Sequence, residues 1–204
     1  FTPGEKCEVL VAMNPAALKT QYKFCKPTAS IIVDTDSFKE SDLKKANFET
    51  NDPFAEMGIK NDVIAAPITQ MVKDCLADSG MDAKAVLKCR NMFALGLVCW
   101  LFSRPIDQAV TFLESKFQKK PQLIAPNVKV LTDGFNYGHN LSLNIQTMTI
   151  QKSDSLPSGQ YTSIAGTKAT AWGLIAAAEK CGKRLFLGSY PITPATDIMH
   201  ELAA

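Results

Sequence analysis

No two of the six cysteines, at positions 7, 25, 75, 89, 99 and 181, form a Cys-x-x-Cys pair. Iron–sulfur clusters and structural zinc sites draw on such close pairs, so these spacings alone build neither, and no metal is expected on this chain. With 204 residues and an apolar fraction of 46%, the chain can bury a core without disulfide staples. Scattered cysteines in such a chain read as buried thiols of an intracellular protein. Long hydrophobic runs are also missing. The most apolar stretch, Met92 to Phe102, has 11 residues, against the roughly 20 that cross a bilayer. Phe1-Thr2-Pro3-Gly4 shows no basic and apolar regions of a signal peptide. The expectation is a soluble, cytoplasmic protein that enters no membrane. Charge of one sign is scarce as well. The net charge is +2 with both signs interleaved, which leaves no clustered basic face for nucleic acid. Lys44-Lys45 and Lys119-Lys120 read as solvated helix ends. Gly-x-Gly-x-x-Gly, Gly-x-x-x-x-Gly-Lys-Ser/Thr and Gly-x-Ser-x-Gly are all absent. Dinucleotide, P-loop and serine-hydrolase sites therefore have no support.

What is present is an alternation of short apolar runs with longer amphipathic stretches. Glu8 to Met13, Ser30 to Val33 (closed by Asp34) and Val63 to Ala66 read as strands, rich in Val and Ile as in a sheet covered on both faces. Ile68 to Ala77 has helical apolar spacing. Ala83 to Phe102 reads as one helix, almost entirely apolar in its second half, where Met92 to Phe102 is expected to be buried in the core. Ile106, Val110, Leu113 and Phe117 make a single stripe, with Pro105 placed as a first helical residue. A further helix is expected from about 122 to 132, stopped by Gly134. Asn14, after the first strand, stands where it can cap the segment that follows or meet a ligand. His139 and His200 lack an orienting partner and read as structural.

Ser153 to Gly159 is small and polar, the best linker in the chain, and it follows the alternating stretch Leu141 to Ile150. Beyond it the pattern restarts: an Ala-rich helix from Gly166 to Lys180, a stop at Gly182, a strand from Arg184 to Leu187, and a proline-stiffened loop leading into another helix. This is a helix–strand–helix unit of an α/β domain, too short to close a core by itself. Ligands of open α/β sheets bind at carboxyl ends of strands, which directs attention to Gly188 to Asp197. In that loop Thr193 reads as a helix N-cap and Pro194 as a first-turn proline. The same helix start is suited to an anionic ligand group.

Tyr190-Pro191-Ile192-Thr193-Pro194 resembles the Tyr-Pro-Ile-Thr-Pro motif of the alpha subunits of 2-oxoacid:ferredoxin oxidoreductases, and the similarity runs through Gly188 to Leu202. Ala169 to Ala178 looks like the helix before that strand, although Gly166-Thr167 stands where the family has Gly-Asn. Val9 to Leu18, Asn91 to Leu97 and Asn136-Tyr137-Gly138 are similar to the gamma domain of the same enzymes. In fused members gamma precedes alpha, as here, and that order favours a 2-oxoglutarate-type enzyme.

The resemblance implies an α/β fold: a three-layer gamma domain over residues 1–152, a linker at 153–160, and the beginning of a thiamine-diphosphate-binding-type (pyrimidine) domain at 161–204. It implies a fragment, without the family's Gly-rich loop or activating glutamate, that is inactive alone. In the complete enzyme a 2-oxoacid is decarboxylated on thiamine diphosphate with Mg²⁺, electrons pass through an iron–sulfur cluster to ferredoxin, and acyl-CoA is released. The diphosphate, its Mg²⁺ and the cluster belong to a partner beta subunit, and the complete enzyme is expected to be a higher oligomer. Tyr190, Pro191, Ile192, Thr193 and Pro194 become the substrate- and cofactor-facing residues, with Thr193 beside the cofactor and the substrate carboxylate. Two alternatives remain open: a ligand-free assembly scaffold, and an NAD-dependent Rossmann enzyme, which the missing Gly-rich fingerprint disfavours.

Overall fold

The computed structural model of the protein describes residues 5–141, 145, 147–151 and 157–204. The chain divides into two compact units, Phe1–Gln151 and Lys152–Ala204. Part of the expected linker, residues 153–156, lies outside the described residues, as do 142–144 and 146 in the alternating stretch.

The first unit is built on three parallel strands in the order β1 (Cys7–Ala12), β2 (Cys25–Asp34) and β3 (Val63–Ala66). After β1, the Asn14 side chain accepts the Ala17 N–H at 2.8 Å and Pro15 opens α1 (Pro15–Gln21), a capped start with a proline that has no N–H to lose. Two short helices, α2 (Glu40–Lys45) and α3 (Pro53–Glu56), link β2 to β3. Asp52 caps α3 by accepting the N–H groups of Phe54 and Ala55. The remaining helices are α4 (Ile68–Cys75), α5 (Ala83–Lys88), α6 (Arg90–Leu101), α7 (Asp107–Lys116) and α8 (Ile124–Asn140). Alternation along β2 sends Ile31 and Val33 to one face, where they meet Leu18, Phe54 and Met57. It sends Ile32 to the other, with Ile64, Ile68, Val72, Phe93 and Leu97. Helices on both faces make three layers, and burial on both faces explains the unbroken apolar runs.

The β1–β2 register is irregular at its start. Cys7 pairs with Cys25, yet Val9 pairs with Ser30. The extra residues of β2 are held by one side chain: the Asn61 amide donates to the carbonyls of Lys26, Pro27 and Ala29 at 3.0, 3.1 and 2.8 Å. The Tyr22 hydroxyl donates to the Asn61 amide oxygen at 2.9 Å.

Several expectations need correction. The second strand begins at Cys25, not Ser30. The single helix expected over 83–102 is two, broken at Cys89, where N–H bonds of Cys89 to Val86 and Met92 to Cys89 tighten the turn to i→i−3. Pro105 is not a first helical residue, since α7 starts at Asp107. Gly134 does not end α8, which runs through it to Asn140. Its glycines instead serve contact. A β-carbon on Gly96 of α6 would stand 2.2 Å from the Leu131 carbonyl oxygen, and one on Gly138 of α8 would stand 2.4 Å from the Trp100 ring. The two backbones approach as closely as they do because these positions carry no side chain.

The second unit holds α9 (Gly166–Cys181) and α10 (Ala195–Ala203). Gly182 ends α9 in the left-handed conformation, φ 62°, as its sequence position indicates. The strand expected at Arg184–Leu187 does not form. A strand needs a paired neighbour, and no described residue of this unit supplies one. Phe186 is 90% exposed, and Ala171 is the one buried residue among those described in this unit.

Candidate functional site

In the first unit, chemistry gathers at the carboxyl ends of the strands. Asp34, the last residue of β2, is fully buried. A buried carboxylate must be satisfied by hydrogen bonds. Its oxygens accept from the Thr69 hydroxyl at 2.5 Å, the Thr69 N–H at 3.1 Å, the Ser37 hydroxyl at 3.1 Å and the Asp36 N–H at 3.3 Å. The Arg90 guanidinium lies 3.6 Å away. Arg90 also donates to the Thr69 hydroxyl at 3.0 Å and the Leu87 carbonyl at 3.2 Å. Asp36 accepts the Gln70 N–H at 2.7 Å.

This network fixes Arg90 at the edge of an open cavity of about 440 Å³ that Asn14, Asp36, Ser37, Lys45 and Arg90 help to line. A guanidinium has five N–H donors in a rigid fork. Anchored on Thr69 and Asp34, Arg90 is held in place, and the cavity sets Arg90 and Lys45 beside the carboxylates of Asp36 and Asp42, with Lys45 paired to Asp42 at 3.2 Å; this mixed lining suits a polar ligand. Sequence reasoning flagged Asn14 here but missed Asp34, Thr69 and Arg90. The available signal was Asp34 itself, an acid ending a buried strand.

The predicted site residues lie in the second unit. Tyr190 is 78% exposed, and Pro191, Ile192, Thr193 and Pro194 are exposed as well. The Ile192 N–H donates to the Tyr190 carbonyl at 2.8 Å, and the Thr196 N–H to the Ile192 carbonyl at 3.1 Å. The helix after the loop begins at Ala195, with Pro194 as the cap residue and no side-chain capping bond. Thr193 is therefore not the N-cap and Pro194 not a first-turn proline. An exposed threonine hydroxyl free of capping duty can donate to or accept from a ligand.

The rings of His139 and Phe135 meet in a T-shaped arrangement, with centroids 4.7 Å apart. Among the described residues no three His, Cys, Asp or Glu side chains group to hold a metal ion, and no helix is long and apolar enough to cross a membrane.

Residues 1–137 match the pyruvate ferredoxin/flavodoxin oxidoreductase family. The chain belongs to that family. It is 37% identical over 205 residues to the 2-oxoglutarate oxidoreductase subunit KorA of Mycobacterium tuberculosis, covering 100% of this chain and 31% of that protein. Its fold is similar to that of a 2-oxoglutarate:ferredoxin oxidoreductase from Magnetococcus marinus, whose structure has 2-oxoglutarate, coenzyme A and succinyl-CoA bound. That match has a TM-score of 0.68 and 23% identity over 98% of this chain and 30% of the other. The chain thus spans about a third of the length of the relatives it matches. Membership of this family removes the NAD-dependent alternative.

Proposed function

We propose that this chain is the gamma-type domain, residues 1–152, and, past a linker at 153–160, the opening of the thiamine-facing domain, residues 161–204, of a 2-oxoglutarate:ferredoxin oxidoreductase subunit. The supporting observation is the 37% identity to the mycobacterial subunit over the whole chain, both units included. The complete enzyme converts 2-oxoglutarate and coenzyme A to succinyl-CoA and CO₂, passing two electrons to ferredoxin. Thiamine diphosphate with Mg²⁺ supplies the decarboxylation chemistry when bound. It is held, with an iron–sulfur cluster, by a partner beta subunit.

The residues present fit an orienting role. Thr193 carries an exposed, uncapped hydroxyl on a loop stiffened by Pro191 and Pro194, suited to a hydrogen bond with the substrate carboxylate or the cofactor. Tyr190 and Ile192 offer exposed apolar surface beside it. In the first unit, the polar cavity at Arg90, lined by side chains of both charges, favours handling of a polar ligand over a purely scaffolding role.

The test is viologen reduction by the full-length protein with its partner subunit. Turnover should require both 2-oxoglutarate and coenzyme A, and the 204-residue chain alone should give none. Faster turnover of pyruvate than of 2-oxoglutarate would move the substrate assignment. Turnover by the isolated chain would overturn the reading of it as one part of the enzyme.

A further inference from the structure

At the amino-terminal end of the sheet, opposite the Arg90 cavity, two thiols face each other. Cys7 of β1 and Cys25 of β2 are register partners in adjacent parallel strands, and their sulfurs lie 4.0 Å apart. Neighbouring strands run about 4.8 Å apart. That separation falls inside the Cα window of roughly 4.4–6.8 Å for disulfides, whose S–S bond is about 2 Å. Closing the remaining gap takes rotation about χ1 at the two residues. The β2 residues just beyond Cys25 are held by Asn61, so the two side chains, not the strand, make the adjustment.

The surroundings favour one type of oxidant. Cys25 borders an open cavity of about 400 Å³ that Lys6, Lys23, Lys26 and Lys60 also line. Lys26 pairs with Glu8. Lys6, Lys23 and Lys60 are exposed and give this mouth a positive field, which draws anionic reagents.

We propose that Cys7 and Cys25 form a reversible dithiol–disulfide pair, oxidised by a small disulfide that carries carboxylates, which staples β1 to β2. Cys7 is half-exposed, whereas Cys25 is buried, so Cys7 makes the first attack. Its thiolate displaces one thiolate from the oxidant and forms a mixed disulfide. The Cys25 thiolate then attacks the Cys7 sulfur, forms Cys7–Cys25 and releases the second thiolate. The two thiol protons pass through solvent to the two released thiolates, so two electrons and two protons convert the oxidant to two thiols, and thiol reductants reverse both steps. Burial, reinforced by the neighbouring Cys7, holds the Cys25 thiol up at about 11. The second step is thereby slowed and speeds up with rising pH.

The experiment equilibrates the full-length protein with oxidised glutathione, alkylates the remaining thiols and maps tryptic peptides by mass. Cleavage after Lys19 and Lys23 puts the two cysteines on separate peptides. The expected product is a Cys7–Cys25 linked pair two hydrogens lighter than its reduced parts, lost on dithiothreitol treatment. In Cys25→Ser the glutathione adduct should accumulate on Cys7 instead. The oxidised wild type should also melt several degrees higher, because the bond restricts the unfolded chain. Cys7 and Cys25 both still alkylated after equilibration would overturn the proposal, as would a Cys7 adduct that persists in the wild type.

Discussion

A β-carbon on Gly134 would lie 2.1 Å from the carbonyl oxygen of Phe93. No side-chain rotation relieves that contact, because the opposing atom is backbone. Gly134→Ala must push α8 off α6, and overpacking of this kind costs about 1–3 kcal/mol or more. Gly173, inside α9 with nothing within 4 Å of its virtual β-carbon, is the counterpart. Gly173→Ala should stabilise its helix by about 0.5–1 kcal/mol. Thermal melts of the two variants should move in opposite directions, and an unchanged Gly134→Ala melt would contradict the close crossing.

Asp34→Ala should be among the most damaging substitutions in the first unit. It leaves the Thr69 and Ser37 hydroxyls and the Thr69 N–H without their acceptor and Arg90 without its counter-charge. Removing one partner of such a buried set costs about 3–5 kcal/mol. Thr69→Val loses one hydroxyl and should cost about 1–2 kcal/mol. Urea midpoints should rank them in that order. Equal midpoints would mean that Asp34 is not held as described.

In the complete enzyme, Thr193→Ala should leave the melting temperature unchanged, because no side-chain bond caps α10. Turnover is another matter. Loss of one hydrogen bond to a charged group, worth roughly 1.5–3 kcal/mol, lowers kcat/KM about ten- to a hundredfold. Thr193→Ser should retain most activity. Wild-type kcat/KM in the alanine variant would remove Thr193 from the substrate site.

Stability of the first unit should fall as solutions become alkaline. Burial lifts the Cys75 thiol from 9.0 to about 12, with a further push from a hydrogen bond to Asp133. Cys25 rises to about 11, and burial also raises Cys89 and Cys99. Unfolded, these thiols ionise near 9.0. Below that pH both states are protonated and nothing changes. Between there and the folded values the native state binds more protons, so stability drops with each step up in pH. Denaturation midpoints at pH about 7.5 and about 10.5 should differ, and Cys75→Ala should lessen the difference. A flat profile in the wild type would mean the thiols titrate as if exposed.

The sequence disclosed what depends on local pattern. β1, β3, α4 and the Gly182 stop follow from apolar runs, periodicity and left-handed glycine chemistry, and Asn14 was legible as a cap. It misled where a residue answers to something far along the chain. Gly134 looks like a helix stop, yet its reason is Phe93 on another helix. Arg184–Leu187 has a strand's composition but, among the described residues, no partner to pair with. Asp34 could be seen ending a strand. Its partners Thr69 and Arg90 are distant in sequence, and no periodicity announces them.

Asn61 has a consequence for how the sheet finds its alignment. Strands with one wet face are positioned by solubility, since a slip by one residue turns oily side chains outward. β2 is apolar on both faces from Ile31 to Val33, so a slipped alignment would still bury hydrocarbon and the hydrophobic effect would discriminate little. Polar groups must supply the distinction. At one end Asn61, just ahead of β3, reaches three carbonyls of β2. At the other, Asp34 reaches Thr69. The strand is indexed from its two ends, like a bolt between detents, and the position of Arg90 at the cavity depends on that indexing.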